Sequence, residues 1–134
     1  MYAKILIPVA YEPGYDIGRE LQVARALAKP HGAQVVLAHV MEKTPFYAID
    51  YMPQGWREEL HDAILADLAQ HAATVPGGSV AVLEGEPGRT LLDHAQAEGV
   101  DCIILAAHRS EPALIGSTAT WIARNATCAV HLIR

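Results

Sequence analysis

Several things are scarce in this sequence. It holds two cysteines in 134 residues, and both Cys102 and Cys128 lie inside apolar runs. A thiol in such a run behaves as a small buried hydrophobe, so a disulfide framework is excluded. Positive charge is also short. Ten lysines and arginines stand against fifteen acids, a net charge of −5. Affinity for nucleic acid in general needs a dense basic footprint, so no nucleic-acid partner is expected, although a local arginine can still meet a small anion. The N-terminal stretch MYAKILIPVAYEPG has one lysine and an apolar run of only about half a dozen residues, too short for a signal core or a membrane span. These readings predict a cytoplasmic protein with no membrane insertion. The sequon Asn125-Ala126-Thr127 is then a chance match.

Chemical motifs are scarce too. Asp67 and His71 share a helix face, as do His61 and Leu65, but no third ligand follows at a metal-binding spacing. That pattern predicts a solvated amphipathic face and no metal site. Gly116-Ser117-Thr118 is not a Gly-x-Ser-x-Gly elbow, and Gly85 to Arg89 lacks the Lys and Ser/Thr of a Walker loop. An enzyme such as a nucleotidyl transferase or hydrolase is the least supported reading, and no catalytic residue is assigned.

What is present is a regular alternation. Five β-branched runs, KILIPVA (4–10), AQVVLAHV (33–40), SVAVLEG (79–85), DCIILAA (101–107) and CAVHLIR (128–134), are separated by segments of helical period. Several runs are continuously apolar, as strands covered on both faces are. Helices are predicted over Gly18–Lys29, Trp56–Ala73, Gly88–Glu98 and Ser117–Ala126. The chain therefore reads as one α/β domain, residues 1–134, with a doubly wound parallel sheet. The long irregular stretch MEKTPFYAIDYMPQG (41–55) leaves the carboxyl end of the second strand. It is placed to cover a ligand site there, or else forms a surface loop pinned by its aromatics.

Four stretches carry a family likeness: the opening KILIPV, LEGEPGRTLLDHA after the third strand, IILAAHR, and the ending IGSTATWIARNATCAVHLIR. On these the chain resembles the universal stress protein family over essentially its full length. The resemblance implies a five-stranded sheet in the order 3-2-1-4-5 with helices on both faces. It also implies a phosphate motif of Gly, two residues, Gly, nine residues, Gly, then Ser or Thr. Gly116 and Ser117 match the last pair, with Thr118 behind them. The first two glycines are replaced by Ala106 and Arg109, with six residues between Arg109 and Gly116. AAHR resembles an Ala-x-His-Arg variant of this turn. Pro8, Val9 and Ala10 align with the end of the first strand, where the family usually has a nucleotide-contacting Asp. Ala10 stands at that position, and Glu12 or Asp16 reach the site only from elsewhere. Val40 and Met41 match the segment whose backbone reads adenine.

The same resemblance implies ATP or a related adenine nucleotide as ligand, with Mg²⁺ carried by the nucleotide. It implies a homodimer through the last strand, Cys128 to Ile133, a non-catalytic sensor or adaptor role, and an unidentified protein partner. A nucleotide-free interaction module of the same fold is the alternative. Chemically, the first amides of a helix starting at Ser117 could cradle phosphate, while the bland alternative is that Ser117 or Thr118 merely caps the helix. Arg109 could bind phosphate bidentately or be an exposed loop arginine, and His108 reads as a polar strand-end residue.

Overall fold

The computed structural model describes residues 1–12, 14–107 and 116–134. Five strands, β1 (Lys4–Pro8), β2 (Gln34–Met41), β3 (Gly78–Glu84), β4 (Cys102–Ala106) and β5 (Ala129–Ile133), form one parallel sheet in the order β3-β2-β1-β4-β5. The helices are α1 (Gly18–Leu27), the single-turn α2 (Phe46–Ile49), α3 (Trp56–Ala72), α4 (Pro87–Ala97) and α5 (Ser117–Asn125).

The alternation of side chains along each strand divides the interior into two cores. Ile5, Ile7, Val35, Leu37, Cys102 and Ile104 pack with Leu21 and Ala24 of α1 and Ile64, Leu68 and Ala72 of α3. Leu6, Val36, Ala38, Ile103 and Leu105 pack on the other face with Leu91 and Ala95 of α4 and Ala119 and Ile122 of α5. Consecutive apolar residues thus serve opposite faces, which is why β1 and β4 read as unbroken runs. Burial raises the thiol of Cys102 to about 11, with Cys128 and Asp101 adding to the shift. It therefore stays protonated, in keeping with a packing role.

Two element ends fall two residues short of the sequence expectation. Helix α1 stops at Leu27 rather than Lys29 because Ala28 turns extended and bridges Tyr2. Lys29 also precedes Pro30, which disfavours helical geometry at that residue. Strand β1 ends at Pro8, two residues early.

Asp101 ties the strand origins together by accepting from the amides of Ala3 and Lys4, both at 3.0 Å. The two faces differ in how closely their helices approach. Gly88 is buried against Trp121, and a methyl there would lie 2.8 Å from Cε3 of that ring. Glycine at 88 is what lets α4 and α5 meet.

Candidate functional site

The carboxyl ends of β1, β2 and β4 meet where the strand order reverses, the usual ligand position in open α/β sheets. The backbone shows why this end is open. Lys4 O accepts from Asp101 N at 3.0 Å, toward β4, and Val9 N donates to Ala38 O at 2.7 Å, toward β2. By that alternation Pro8 faces β4, and proline has no N–H to donate. The β1–β4 register accordingly ends at Leu6↔Ile103, although β1 runs on to Pro8 and β4 to Ala106.

A second opening lies between β1 and β2. Val35 N donates to Gly77 O and Met41 O accepts from Gly85 N, so these residues and the alternate ones between them face β3, while Val36, Ala38 and Val40 face β1. Pairing with β1 stops at Pro8↔Ala38. The Val9 carbonyl, the next acceptor in line, is instead taken by His39 Nδ1 at 2.7 Å, which must therefore carry the proton. The amide and carbonyl of Val40 are left without a strand partner among the described residues. The side chains of Val40 and Met41 are buried in opposite cores, so this segment offers a ligand backbone groups only.

Helix α5 begins beside these ends. Gly116 N donates to Ala107 O at 2.6 Å, and Ala107 N donates to Ile133 O at 2.8 Å, tying the helix start to the end of β4 and to β5. The N-cap is Gly116 itself, and among the described residues no side chain caps the helix. Ser117 and Thr118 are exposed residues of the first turn, so the alternative in which one of them is the cap does not hold. The first helical bond is Thr120 N to Gly116 O at 2.9 Å. By helix geometry the amides before it have no intrahelical acceptor. Gly116 sits at φ −60°, which any residue can adopt. A methyl added there would come no closer than 3.6 Å to Ala107 O. Packing among the described residues does not demand glycine at this position.

Of the residues expected to form the site, Pro8, Val9, Ala10, Val40, Met41, Ala106, Gly116, Ser117 and Thr118 all lie at this edge of the sheet. His108 and Arg109 lie outside the described residues. Ala10 is exposed. Asp16 Oδ1 accepts from Gly18 N at 2.8 Å, so that carboxylate is engaged at the start of α1.

One group was read wrongly from sequence. Asp67 is not simply part of a solvated helix face, since although it is one-third exposed Tyr11 and Tyr15 both donate to its Oδ2, at 2.7 and 2.8 Å, and His71 Nε2 lies 3.8 Å away. Tyr11 also packs edge-on against Tyr15 and His39, with ring centroids 4.9 Å apart in each pair. This network fastens the segment after β1 to α3. Partial burial pushes the Asp67 carboxyl up, but the two tyrosine hydroxyls and His71 outweigh it and hold the group below the usual carboxylate range. Burial, then the Asp67 hydrogen bond, pushes the hydroxyls of Tyr11 and Tyr15 up. The i,i+4 spacing of Asp67 and His71 was the one visible signal, and it gave no hint of the tyrosines. Among the described residues no cluster of three or more His, Cys, Asp or Glu could hold a metal ion.

Residues 1–134 match the model of the universal stress protein family. The chain belongs to this family. It is 27% identical over 139 residues to the universal stress protein in the QAH/OAS sulfhydrylase 3′ region of Thermus aquaticus, with the whole of both chains covered. Its fold is similar to that of the universal stress protein UspA from Lactobacillus plantarum, with a TM-score of 0.74 at 23% identity, covering 99% and 98% of the two chains. It is also similar to the Archaeoglobus fulgidus universal stress protein solved in complex with dAMP, with a TM-score of 0.71 at 18% identity and coverage of 99% and 98%. At these identities the two structures speak for the fold alone. Among the described residues no helix is long and apolar enough to cross a membrane.

Proposed function

We propose that this universal stress protein binds an adenine nucleotide, ATP or a close relative with its Mg²⁺, and acts without catalytic turnover as a cytoplasmic dimeric sensor or adaptor. The observation that carries the reading is the pairing of two sets of backbone groups at one sheet edge: the amides of a helix start that no described side chain caps, and the amide and carbonyl of Val40, which have no strand partner among the described residues. The first set suits phosphate oxygens, with the helix dipole assisting. The second suits the edge of a base. In this reading Ser117 and Thr118 add hydroxyl hydrogen bonds, and the Arg109 guanidinium supplies donors where the motif lacks its first glycines. The dAMP held by the Archaeoglobus relative supports the ligand class.

The dimer of this reading forms on β5, an edge strand whose Ala129 and His131 are exposed. An edge of this kind presents unpaired backbone groups to a symmetry mate. Sedimentation as a monomer alone at micromolar concentration would count against it. One observation favours the nucleotide-free alternative: the exposed residue at the end of β1 is Ala10 rather than a carboxylate.

Calorimetry with ATP and with dAMP separates the two. The nucleotide reading expects saturable binding, abolished by Gly116→Val because the added side chain occupies the phosphate approach. Ser117→Ala should weaken binding about fivefold to tenfold, the loss of one hydrogen bond to a charged acceptor. Arg109→Ala should weaken it more. No binding at millimolar nucleotide, or binding unchanged by Gly116→Val, transfers the assignment to the nucleotide-free module. Multiple-turnover hydrolysis at about one per second or faster would overturn the non-catalytic part.

A further inference from the structure

The segment between β2 and α3 presents its aromatic residues to solvent. Phe46 is 85% exposed, Tyr47 69%, Ile49 51% and Tyr51 87%, with Met52 at 40%. Eight large apolar side chains stand out from the described surface, and five of them fall within these seven residues. Scattered exposed apolar groups are ordinary, whereas a concentration of this kind marks a contact surface. Of the two sequence readings of this loop, the one in which aromatics pin it to the body is therefore excluded. Phe46 and Tyr47 pack edge-on against each other, centroids 5.7 Å apart, and no described core residue takes either ring.

The charge around the segment identifies what fits. From 42 to 62 the chain carries Glu42, Asp50, Glu58, Glu59 and Asp62 against Lys43 and Arg57. Arg57 is already committed, ion-paired to Glu84 Oε1 at 2.6 Å and lying over the Trp56 ring. Glu58 and Glu59 are exposed in the first turn of α3, and the Asp62 side chain is 80% exposed. An aromatic surface with an acidic border repels an anionic lipid surface. It also opposes a twofold contact with a second copy, which would set like charges against each other, and it opposes closure over a nucleotide's phosphates. Cationic groups are attracted twice, by the carboxylates and by the faces of the rings.

We propose that the Phe46–Met52 segment is a docking surface for a partner protein segment that carries apolar side chains flanked by arginine or lysine. This deepens the adaptor half of the function proposed above and does not depend on its nucleotide half. The probes are three fluorescein-labelled synthetic peptides with identical leucines, flanked by arginine, glutamine or glutamate, titrated by anisotropy into the full chain without nucleotide. The arginine peptide should bind about tenfold or more tightly than the glutamate peptide, as a few screened charge pairs would give. Raising the salt should weaken it. Phe46→Ser combined with Tyr47→Ser and Tyr51→Ser should abolish binding, and Glu58→Gln with Glu59→Gln should weaken it while leaving the apolar part intact. These side chains are exposed, so both variants should melt as the parent does.

Equal binding of the three peptides, or no binding, overturns the proposal. So does recruitment to phosphatidylserine vesicles that the triple variant loses, or self-association by sedimentation that the triple variant loses. Protection of the segment from hydrogen exchange by dAMP, with no peptide preference, would make it a lid instead. Calorimetry with nucleotide is a separate measurement, so a failed nucleotide reading leaves the peptide result intact.

Discussion

Replacing Asp67 with alanine tests whether the segment after β1 is held by its side-chain network. Two hydroxyls, from Tyr11 and Tyr15, converge on one carboxylate oxygen at 2.7 and 2.8 Å. A hydrogen bond to a charged acceptor contributes about 1.5–3 kcal/mol when water is excluded. The Asp67 side chain is 33% exposed, so water can replace part of what is lost. Screening lowers each bond to about 1–1.5 kcal/mol. Asp67→Ala should therefore cost about 2–3 kcal/mol in urea unfolding, with a fall in Tm of about 6–15 °C at this chain length. Asp67→Asn keeps an acceptor oxygen without the charge and should lose roughly half as much. In a double-mutant cycle, Tyr11→Phe should lose its effect once Asp67 is alanine. If Asp67→Ala stays within about 0.5 kcal/mol of the parent, the network is incidental and the reasoning fails.

The carboxyl of Asp67 is lowered, so its contribution is present above the ordinary carboxylate value and lost as pH falls through the folded one; the raised hydroxyls of Tyr11 and Tyr15 contribute below the ordinary tyrosine value and lose this as pH rises through theirs. The stability difference between the parent and Asp67→Ala should thus shrink as pH falls below about 4 and again as it rises above about 10, as urea midpoints across pH would show. Gly88→Ala places a methyl 2.8 Å from Trp121 Cε3, and the overpacking should cost about 1–3 kcal/mol, measurable by calorimetric melting. Ser117 is not the N-cap, so Ser117→Ala should stay within about 0.5 kcal/mol of the parent without ligand. A loss of 1 kcal/mol or more for Ser117→Ala would restore the capping reading.

The architecture was legible because it rests on short-range pattern. Runs such as CIILA, apolar at every position, belong to strands covered on both faces, and Leu91 with Ala95 or Ile64 with Leu68 are helix faces at a spacing of four. Pro8 carries its consequence in its chemistry, since a missing N–H removes a ladder bond on the side that it would face. Gly116-Ser117-Thr118 likewise marked the start of α5. What the sequence could not convey is which distant side chains converge. Tyr11 and Asp67 are 56 residues apart, and Tyr15 and Asp67 52, so no local spacing links them. Only the sheet order, by setting β1 beside β2 and α3 over that face, brings them together. The same holds for His39, whose ring takes the Val9 carbonyl and so frees Val40, and for the aromatics of the β2–α3 segment. Their types were plain in the sequence. Whether they faced the core or solvent was not, because a segment without a repeating period has no face until the rest of the chain has packed around it.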